Sequence, residues 1–467
     1  MYDIIFIGGG PGGYEGAIAA SKKGLKTAVV EMEKVGGTCL QWGCIPTKTL
    51  LHNVKLIKQI KDAAKAGINV ENVSIDIKTL AKNKERVVAK LTKGIESLFK
   101  QHNIDLIQGC GKITAPDTVS INGVNGQQEI KARNIVVATG SKGAELPFLK
   151  VDGQYVINSN MIMELKDVPE KLLIIGAGAV GLELGLVYNY LGSQVTVVEI
   201  MDQILPGMDT ELTEILYNEL KKQKMKIHTS TAASNPFINQ ESKTIRLDFK
   251  PKSTDSGQKD WQEEFSRVLL AVGRVPNSTD VFEHPDQLGI SLDKRGFIIV
   301  NKNLQTAVPN IFACGDVVGT PLLAHKASHQ AIGIVDFIAN GNPIIHHPVP
   351  GAVFTFPEFA SIGLTETEAK ANNMKISIGR FPYSAGSRSN AIDEKSGLVK
   401  IIADENHRLV GAHIVGAEAG ELMPILNYAV TKGLNAEEFK EMIFIHPTLG
   451  ENIWEAVGEI SGASIHI

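Results

Sequence analysis

Ile4-Ile5-Phe6-Ile7-Gly8-Gly9-Gly10-Pro11-Gly12-Gly13 decides the fold. Four apolar strand-formers run into glycines spaced G-x-G-x-x-G at Gly8, Gly10 and Gly13, and a helical pattern follows through Lys23. Thr27-Ala28-Val29-Val30 then reads as a second buried strand, ending on Glu31. The same order returns later as Leu172-Leu173-Ile174-Ile175, Gly176-Ala177-Gly178-Ala179-Val180-Gly181, a helix, and Val195-Thr196-Val197-Val198-Glu199. In both copies 23 residues separate the first glycine from the acid.

The spacing has a physical reason. The first glycine permits a tight turn, the second lets backbone approach a pyrophosphate, and the third lets helix and strand pack closely. The helix N-terminus offers free N–H groups and partial positive charge to the phosphates. The acid can accept from a ribose 2′-OH and would repel a 2′-phosphate. A lone motif reads equally as a glycine-rich turn; the strand, helix and acid repeated at one spacing do not. Two units imply two nucleotides, most economically FAD at the first and NAD at the second.

Other segments fit a flavin domain interrupted by a nicotinamide domain. Asn134-Ile135-Val136-Val137-Ala138-Thr139-Gly140 is a strand ending at glycine, and residues 268–277, including Gly273, have the same form. Ile311-Phe312-Ala313-Cys314-Gly315-Asp316 ends in an acid that can hold the ribitol or pyrophosphate part of FAD. The expected fold class is α/β: two Rossmann-like dinucleotide-binding domains, the NAD domain inserted in the FAD domain, plus a C-terminal α+β dimerisation domain. The expected boundaries are 1–145 (FAD), 146–270 (NAD), 271–345 (central, completing the FAD site) and 346–467 (interface). The polar stretch 250–260 reads as an exposed hairpin or loop, and the lysine-rich segment 78–100 as a solvated helix face.

Composition bounds the function. The 467 residues allow about three domains. A net charge of −4 lacks the basic excess of a nucleic-acid-binding surface. No apolar run approaches the roughly 20 residues of a membrane span. Met1-Tyr2-Asp3 leads straight into a strand, with no basic leader, so the expected compartment is the cytoplasm, or the mitochondrial matrix for a mature form.

Between the first fingerprint and the next helical stretch lies Gly36-Gly37-Thr38-Cys39-Leu40-Gln41-Trp42-Gly43-Cys44-Ile45-Pro46-Thr47-Lys48. Only four cysteines occur in the chain, and two of them stand here, five apart. Zinc is disfavoured, because there is neither CxxC spacing nor a second ligand pair, and no metal site is expected. Positions five apart in an ideal helix lie roughly 140° apart. A disulfide would need an irregular helix start, and Gly43 and Pro46 suit one. Cys44 just ahead of a helix N-terminus would favour a thiolate. The bland alternative is two unrelated cysteines. Cys110 and Cys314 are read as buried and structural.

These residues resemble the class I pyridine nucleotide-disulfide oxidoreductases over essentially the whole chain, most closely the dihydrolipoyl dehydrogenase branch. The resemblance implies that Cys39 exchanges with the substrate disulfide and is the more exposed thiol. Cys44 would lie against the flavin as the charge-transfer thiolate. It places Lys48 near flavin N5, paired with Glu183. Phe444-Ile445-His446-Pro447-Thr448-Leu449-Gly450-Glu451 resembles the family's His-Pro-Thr-x-x-Glu, in which the His is acid/base, the Glu orients it, and both come from the other subunit of a homodimer. Read alone, Thr448 and Glu451 also make a helix capping box. Gln41 and Trp42 depart from the family's commoner residues.

The expected catalytic set is Cys39, Cys44, His446 and Glu451. The FAD set is Gly8, Gly10, Gly13, Glu31, Thr38, Lys48, Thr139, Gly140 and Asp316. The NAD set is Gly176, Gly178, Gly181, Glu183, Glu199 and Gly273. The implied reaction oxidises protein-bound dihydrolipoamide and reduces NAD⁺, with lipoyl domains as partners. An NADPH-linked glutathione-type reductase would want basic residues after the second unit, where Glu199-Ile200-Met201-Asp202 stands. A mercury-type reductase would carry a C-terminal cysteine pair, and residues 461–467 have none. A purely structural docking subunit would bind FAD without turnover.

Overall fold

The strand Tyr2–Ile7 alternates its buried side chains between two faces of a parallel sheet. It pairs with Thr27–Glu31 on one side and Gly126–Val137 on the other. Asp105–Gln108 extends the sheet beyond Thr27–Glu31, and Ile311–Ala313 pairs in parallel with Gly126–Val137. Ile4, Phe6 and Val29 face one cluster with Ala17, Ala20 and Ala331, from the helices Pro11–Lys22 and Ala324–Asn340. Ile5, Ile7 and Val30 face the opposite cluster with Ile113, Val119, Ile121 and Phe282. Burial on both faces is why these strands are continuously apolar.

The computed structural model describes residues 1–124, 126–164, 166–252 and 259–467. The sheet just described belongs to the first of two compact units, Met1–Leu50, Asp76–Ala144 and Gly273–His346. The second comprises Leu51–Ile75, Glu145–Val272 and His347–Ile467. It holds a second parallel sheet, ordered Lys226–His228, Gln194–Val198, Lys171–Ile175, Arg267–Leu270, Val156–Ile157. It also holds a five-stranded antiparallel sheet within 351–416, backed by the helices Ala419–Lys432 and Gly450–Ile460 around Ile401, Ile414, Leu426 and Ile453. The α/β class with a C-terminal α+β part is thus observed.

The second unit buries a charge cluster no pattern announced. Lys400, 1% exposed, places its ammonium 2.9 Å from Asp209, 2.9 Å from Glu211 and 2.7 Å from Glu366. A buried ammonium without such partners would be very costly. Asp209 also caps the helix Thr210–Lys222 through the Glu211 N–H.

Two expectations need correction. Cys110 is exposed, not buried. It opens the strand Cys110–Ala115, where Gly111 and Ile113 take the inward positions and the two-residue period turns Cys110 outward. Cys314 is buried, as expected. Within the lysine-rich helix Ile77–Gln101, capped by Asp76, Lys84 is buried while most of its neighbours face water. The stretch 250–260 connects two antiparallel strands, Thr244–Pro251 and Trp261–Phe265, and its residues 253–258 lie outside the described residues. Among the described residues no helix is long and apolar enough to cross a membrane.

The third glycine of each fingerprint is fixed by contact. A Cβ on Gly13 would overlap the Gly8 carbonyl oxygen, and one on Gly181 the Gly176 carbonyl oxygen. Neither clash can be relieved by a rotamer. Gly13→Ala should therefore cost at least about 3 kcal/mol in urea titration and abolish FAD retention. Gly94→Ala is the control. It sits mid-helix with open space at its Cβ, and should gain up to about 1 kcal/mol.

Candidate active site

Both fingerprints fold alike at their acids. The Gly9 N–H donates to Glu31 Oε2 at 2.6 Å and the Glu33 N–H to Oε1 at 2.8 Å. In the second copy the Ala177 N–H donates to Glu199 Oε2 at 2.8 Å and the Met201 N–H to Oε1 at 2.9 Å. Each acid ties the glycine loop to the end of the second strand and keeps a lone pair on each oxygen. Burial pushes the Glu31 carboxyl up, while the N–H groups of Glu33 and Gly9 pull it down. Gly8 and Gly176 adopt φ of +103° and +105°, which the tight turn requires. Gly10 and Gly178 begin the helices Pro11–Lys22 and Ala179–Leu191, and no side chain caps either helix. The space where a Cβ of Gly178 would stand is open. Free N–H groups at a helix start, an open approach and a buried acid fit a dinucleotide at each site.

The dithiol segment is hooked onto the first fingerprint. The Gly36 N–H donates to the Gly9 carbonyl at 2.7 Å, and Gly37 packs against Gly10 closely enough to exclude any side chain. Cys39 lies in the short helix Gly37–Gln41, whose Thr38 carbonyl accepts the Trp42 N–H. Cys44 is the first residue of the helix Cys44–Asp62, which also carries Lys48. The chain breaks at Trp42 and Gly43, and a Cβ on Gly43 would press on the Thr38 carbonyl oxygen at 2.9 Å. The irregularity anticipated from the spacing is thus a full interruption between two helices.

Cys39 and Cys44 are not bridged; their thiols are hydrogen-bonded to each other and both are half-buried. Exposure therefore does not distinguish them. Electrostatics does: the hydrogen bond with Cys44 and then burial push the Cys39 thiol far up, with Lys48 opposing. Gln41 also finds a role, its Nε2 donating to the Val35 carbonyl at 2.8 Å and to Thr92 Oγ1 at 2.9 Å. It pins the dithiol loop to the helix Ile77–Gln101.

A polar cluster surrounds Asp316 in the same unit. Ser141 Oγ donates to Asp316 Oδ2 at 2.5 Å, and Arg274 Nε donates to Ser141 Oγ at 2.7 Å. Burial draws the Arg274 guanidinium down, and the negative charges of Asp316 and Cys44 oppose it. Thr139 Oγ1 donates to the Asn277 carbonyl at 2.6 Å, and the Asn277 N–H donates to the Gly140 carbonyl at 2.9 Å. Gly273, at φ +106°, accepts from the Ala144 N–H. Ser141 and Arg274 were not singled out from the sequence, although each adjoins a glycine, Gly140 and Gly273, that was.

The second unit holds the remaining residues. Glu183 is 4% exposed, and its Oε1 accepts the Phe354 N–H at 2.9 Å. His446 Nδ1 lies 2.8 Å from Glu451 Oε1, and the Thr448 N–H donates to Glu451 Oε2 at 2.7 Å. The helix Gly450–Ile460 has Leu449 at its N-cap and no side-chain cap, so of the capping box only the arm from Glu451 to the Thr448 N–H is made, and the other oxygen of Glu451 serves the imidazole. With Nδ1 held, Nε2 is left for chemistry. Cys39, Cys44, Lys48 and Asp316 thus share one unit, and Glu183, Glu199, His446 and Glu451 the other; Gly273 falls in the first. Among the described residues no group of three His, Cys, Asp or Glu side chains is placed to hold a metal ion.

Comparison with known proteins agrees with this geometry. Residues 2–331 match the pyridine nucleotide-disulphide oxidoreductase family, and residues 349–457 its dimerisation domain. The chain is 39% identical to dihydrolipoyl dehydrogenase 1, mitochondrial, of Arabidopsis thaliana, an alignment covering 100% of this chain and 91% of that protein. It is 37% identical to dihydrolipoyl dehydrogenase of Vibrio parahaemolyticus, covering 98% and 96%. The copper(II) complex of the HOCl-induced flavoprotein disulfide reductase RclA from Escherichia coli superposes with a TM-score of 0.86 at 25% identity, over 98% of this chain and 99% of that one. With fingerprints, dithiol and dimerisation domain all in place, the chain belongs to the pyridine nucleotide-disulphide oxidoreductases, and it is an FAD- and NAD-using disulfide oxidoreductase.

Proposed function

We propose that the chain is a dihydrolipoyl dehydrogenase that oxidises protein-bound dihydrolipoamide and reduces NAD⁺. The observation that carries the reading is the Cys39–Cys44 dithiol hooked onto the first fingerprint through Gly36 and Gly37. FAD at that fingerprint supplies two-electron transfer between the dithiol and the nicotinamide. Gly8, Gly10, Gly13, Glu31, Thr38, Lys48, Thr139, Gly140 and Asp316 would hold it. Gly176, Gly178, Gly181, Glu183, Glu199 and Gly273 would serve NAD, and Glu183 would pair with Lys48.

The protein's own steps follow from the side chains. His446 Nε2 takes the proton of one substrate thiol, and Glu451 stabilises the imidazolium and fixes its ring. The substrate thiolate attacks Cys39 of the oxidised pair; the Cys39–Cys44 bond breaks and Cys44 leaves as a thiolate. The second substrate thiol then attacks the first sulfur and breaks its bond to Cys39; the cyclic disulfide leaves, the second thiol's proton passes to Cys39, and the first stays on His446 until it is released to solvent.

The pair His446 and Glu451 would act on the dithiol of a second copy. Ile443 and Ile445 beside it are 99% and 78% exposed, an apolar face that suits such a homodimer. We assign the chain the E3 role in 2-oxoacid dehydrogenase complexes or the glycine cleavage system, with lipoyl domains as its substrate carriers. The four-part division at 145, 270 and 345 stands as our functional division. We place the chain in the cytoplasm, with the mitochondrial matrix as the alternative.

The test is reduction of NAD⁺ and of NADP⁺ with dihydrolipoamide, beside NADPH oxidation with glutathione disulfide. Fast NAD⁺ reduction and no glutathione turnover is the expected result; preference for glutathione would overturn the reading. Glu199→Arg should raise the KM for NAD⁺ at least about tenfold, the worth of one charge-assisted bond, and narrow the gap to NADP⁺. Unaltered NAD⁺ kinetics would tell against this site.

A further inference from the structure

Lys326, in the helix Ala324–Asn340, is 8% exposed, and the fingerprint and dithiol patterns give it no role. Its ammonium donates to the Gly319 carbonyl and lies 3.5 Å from the Gly315 carbonyl. Those two carbonyls bracket the 3-10 turn Gly315–Val318, whose second residue is Asp316. The same helix reaches the turn a second time, where Gln330 Oε1 accepts the Gly315 N–H at 2.8 Å. On its other side the Asp316 carboxylate is held by Ser141 and faces Arg274 at 3.9 Å. Burying an ammonium against neutral carbonyls is expensive, and an apolar residue of equal length would fill the space more cheaply. The cost is intelligible if the turn must hold one conformation, since Lys326 ties both of its ends while Ser141 and Arg274 flank its Asp316.

We propose that Lys326 is a positioning residue for the FAD site: its buried ammonium fixes the Gly315–Val318 turn so that Asp316 meets the flavin nucleotide's hydroxyl groups at a set position. The proposal rests on the reading that FAD occupies the first fingerprint and touches Asp316. Lys326 itself touches no reacting atom and acts through the turn.

The test measures FAD release from diluted holoprotein, followed by the rise of free-flavin fluorescence, together with the melting temperature of the apoprotein. Lys326→Met should release FAD about ten- to a hundredfold faster, the worth of one hydrogen bond to a charged group, with apoprotein melting within about two degrees of the parent. Lys326→Gln, which keeps a donor, should fall between the two, and it carries the test alone if the Met variant does not fold. Parental release rates in a folded variant would overturn the proposal. So would faster release matched by an equal fall in apoprotein melting. Failure of the parent chain to bind FAD, or an Asp316→Asn variant that keeps FAD as the parent does, would instead sink the underlying reading.

Discussion

Cys44→Ser is expected to bind FAD yet reduce lipoamide disulfide at no more than the uncatalysed rate. The long-wavelength absorbance that a thiolate beside an oxidised flavin produces should be missing after two-electron reduction. The reason lies in the asymmetry of the pair. The hydrogen bond with Cys44, with burial, pushes Cys39 far up, and on that ground we assign Cys44 as the thiolate of the reduced enzyme. Arg274 feels the charge of Cys44, and Lys48 pulls the Cys39 thiol down, which sets the pair in a positive field. Cys39→Ser makes the converse case. It also loses turnover, but Cys44 can no longer be tied into a disulfide, so the absorbance should be present before any reductant is added. Spectra of the two variants settle the assignment. A band retained in Cys44→Ser, or absent in oxidised Cys39→Ser, would reverse the roles of the two sulfurs.

The second large effect is expected at His446. His446→Ala should lower kcat for dihydrolipoamide by about 10²- to 10⁴-fold, the usual range for loss of a general acid–base. NADH oxidation by an artificial one-electron acceptor uses no thiol exchange and should keep the parental rate. That second readout separates lost proton transfer from misfolding. Glu451→Gln should fall between, because the single amide oxygen can accept from Nδ1–H or from the Thr448 N–H but not from both, and it carries no charge to stabilise the imidazolium. Equal losses in both assays would move His446 out of the thiol chemistry and into the fold.

Much of this was legible in the chain because glycine has few substitutes. The clashes at Gly13 and Gly181 and the positive φ at Gly8 and Gly176 are backbone facts, and backbone facts leave fixed spacings. The acids were legible for the same reason, each ending a strand whose length the fold dictates. Polar residues that work at long range were not. Ser141 and Arg274 reach Asp316 from two separate segments, and Lys326 and Lys400 look like solvated lysines until their carbonyl and carboxylate partners are assembled. Cys110 was misread because strand register, not residue type, turns it outward. For Glu451 both readings of the motif were open. In the structure its carboxylate meets the imidazole with one oxygen and the Thr448 N–H with the other, so the two readings coexist.

The interruption at Trp42 and Gly43 has a consequence for the direction of current. Cys39 is the middle residue of the five-residue helix Gly37–Gln41, whereas Cys44 is the first residue of the nineteen-residue helix Cys44–Asp62, where unpaired N–H groups gather. Two chemically identical sulfurs thereby stand in unequal backbone fields, and only Cys44 has the positive end of a long helix. The better leaving group is always the same one, so an incoming thiolate finds a single productive end of the disulfide. Five residues of chain thus behave as a rectifier, with a polarity that the path of the backbone sets together with the charges around it.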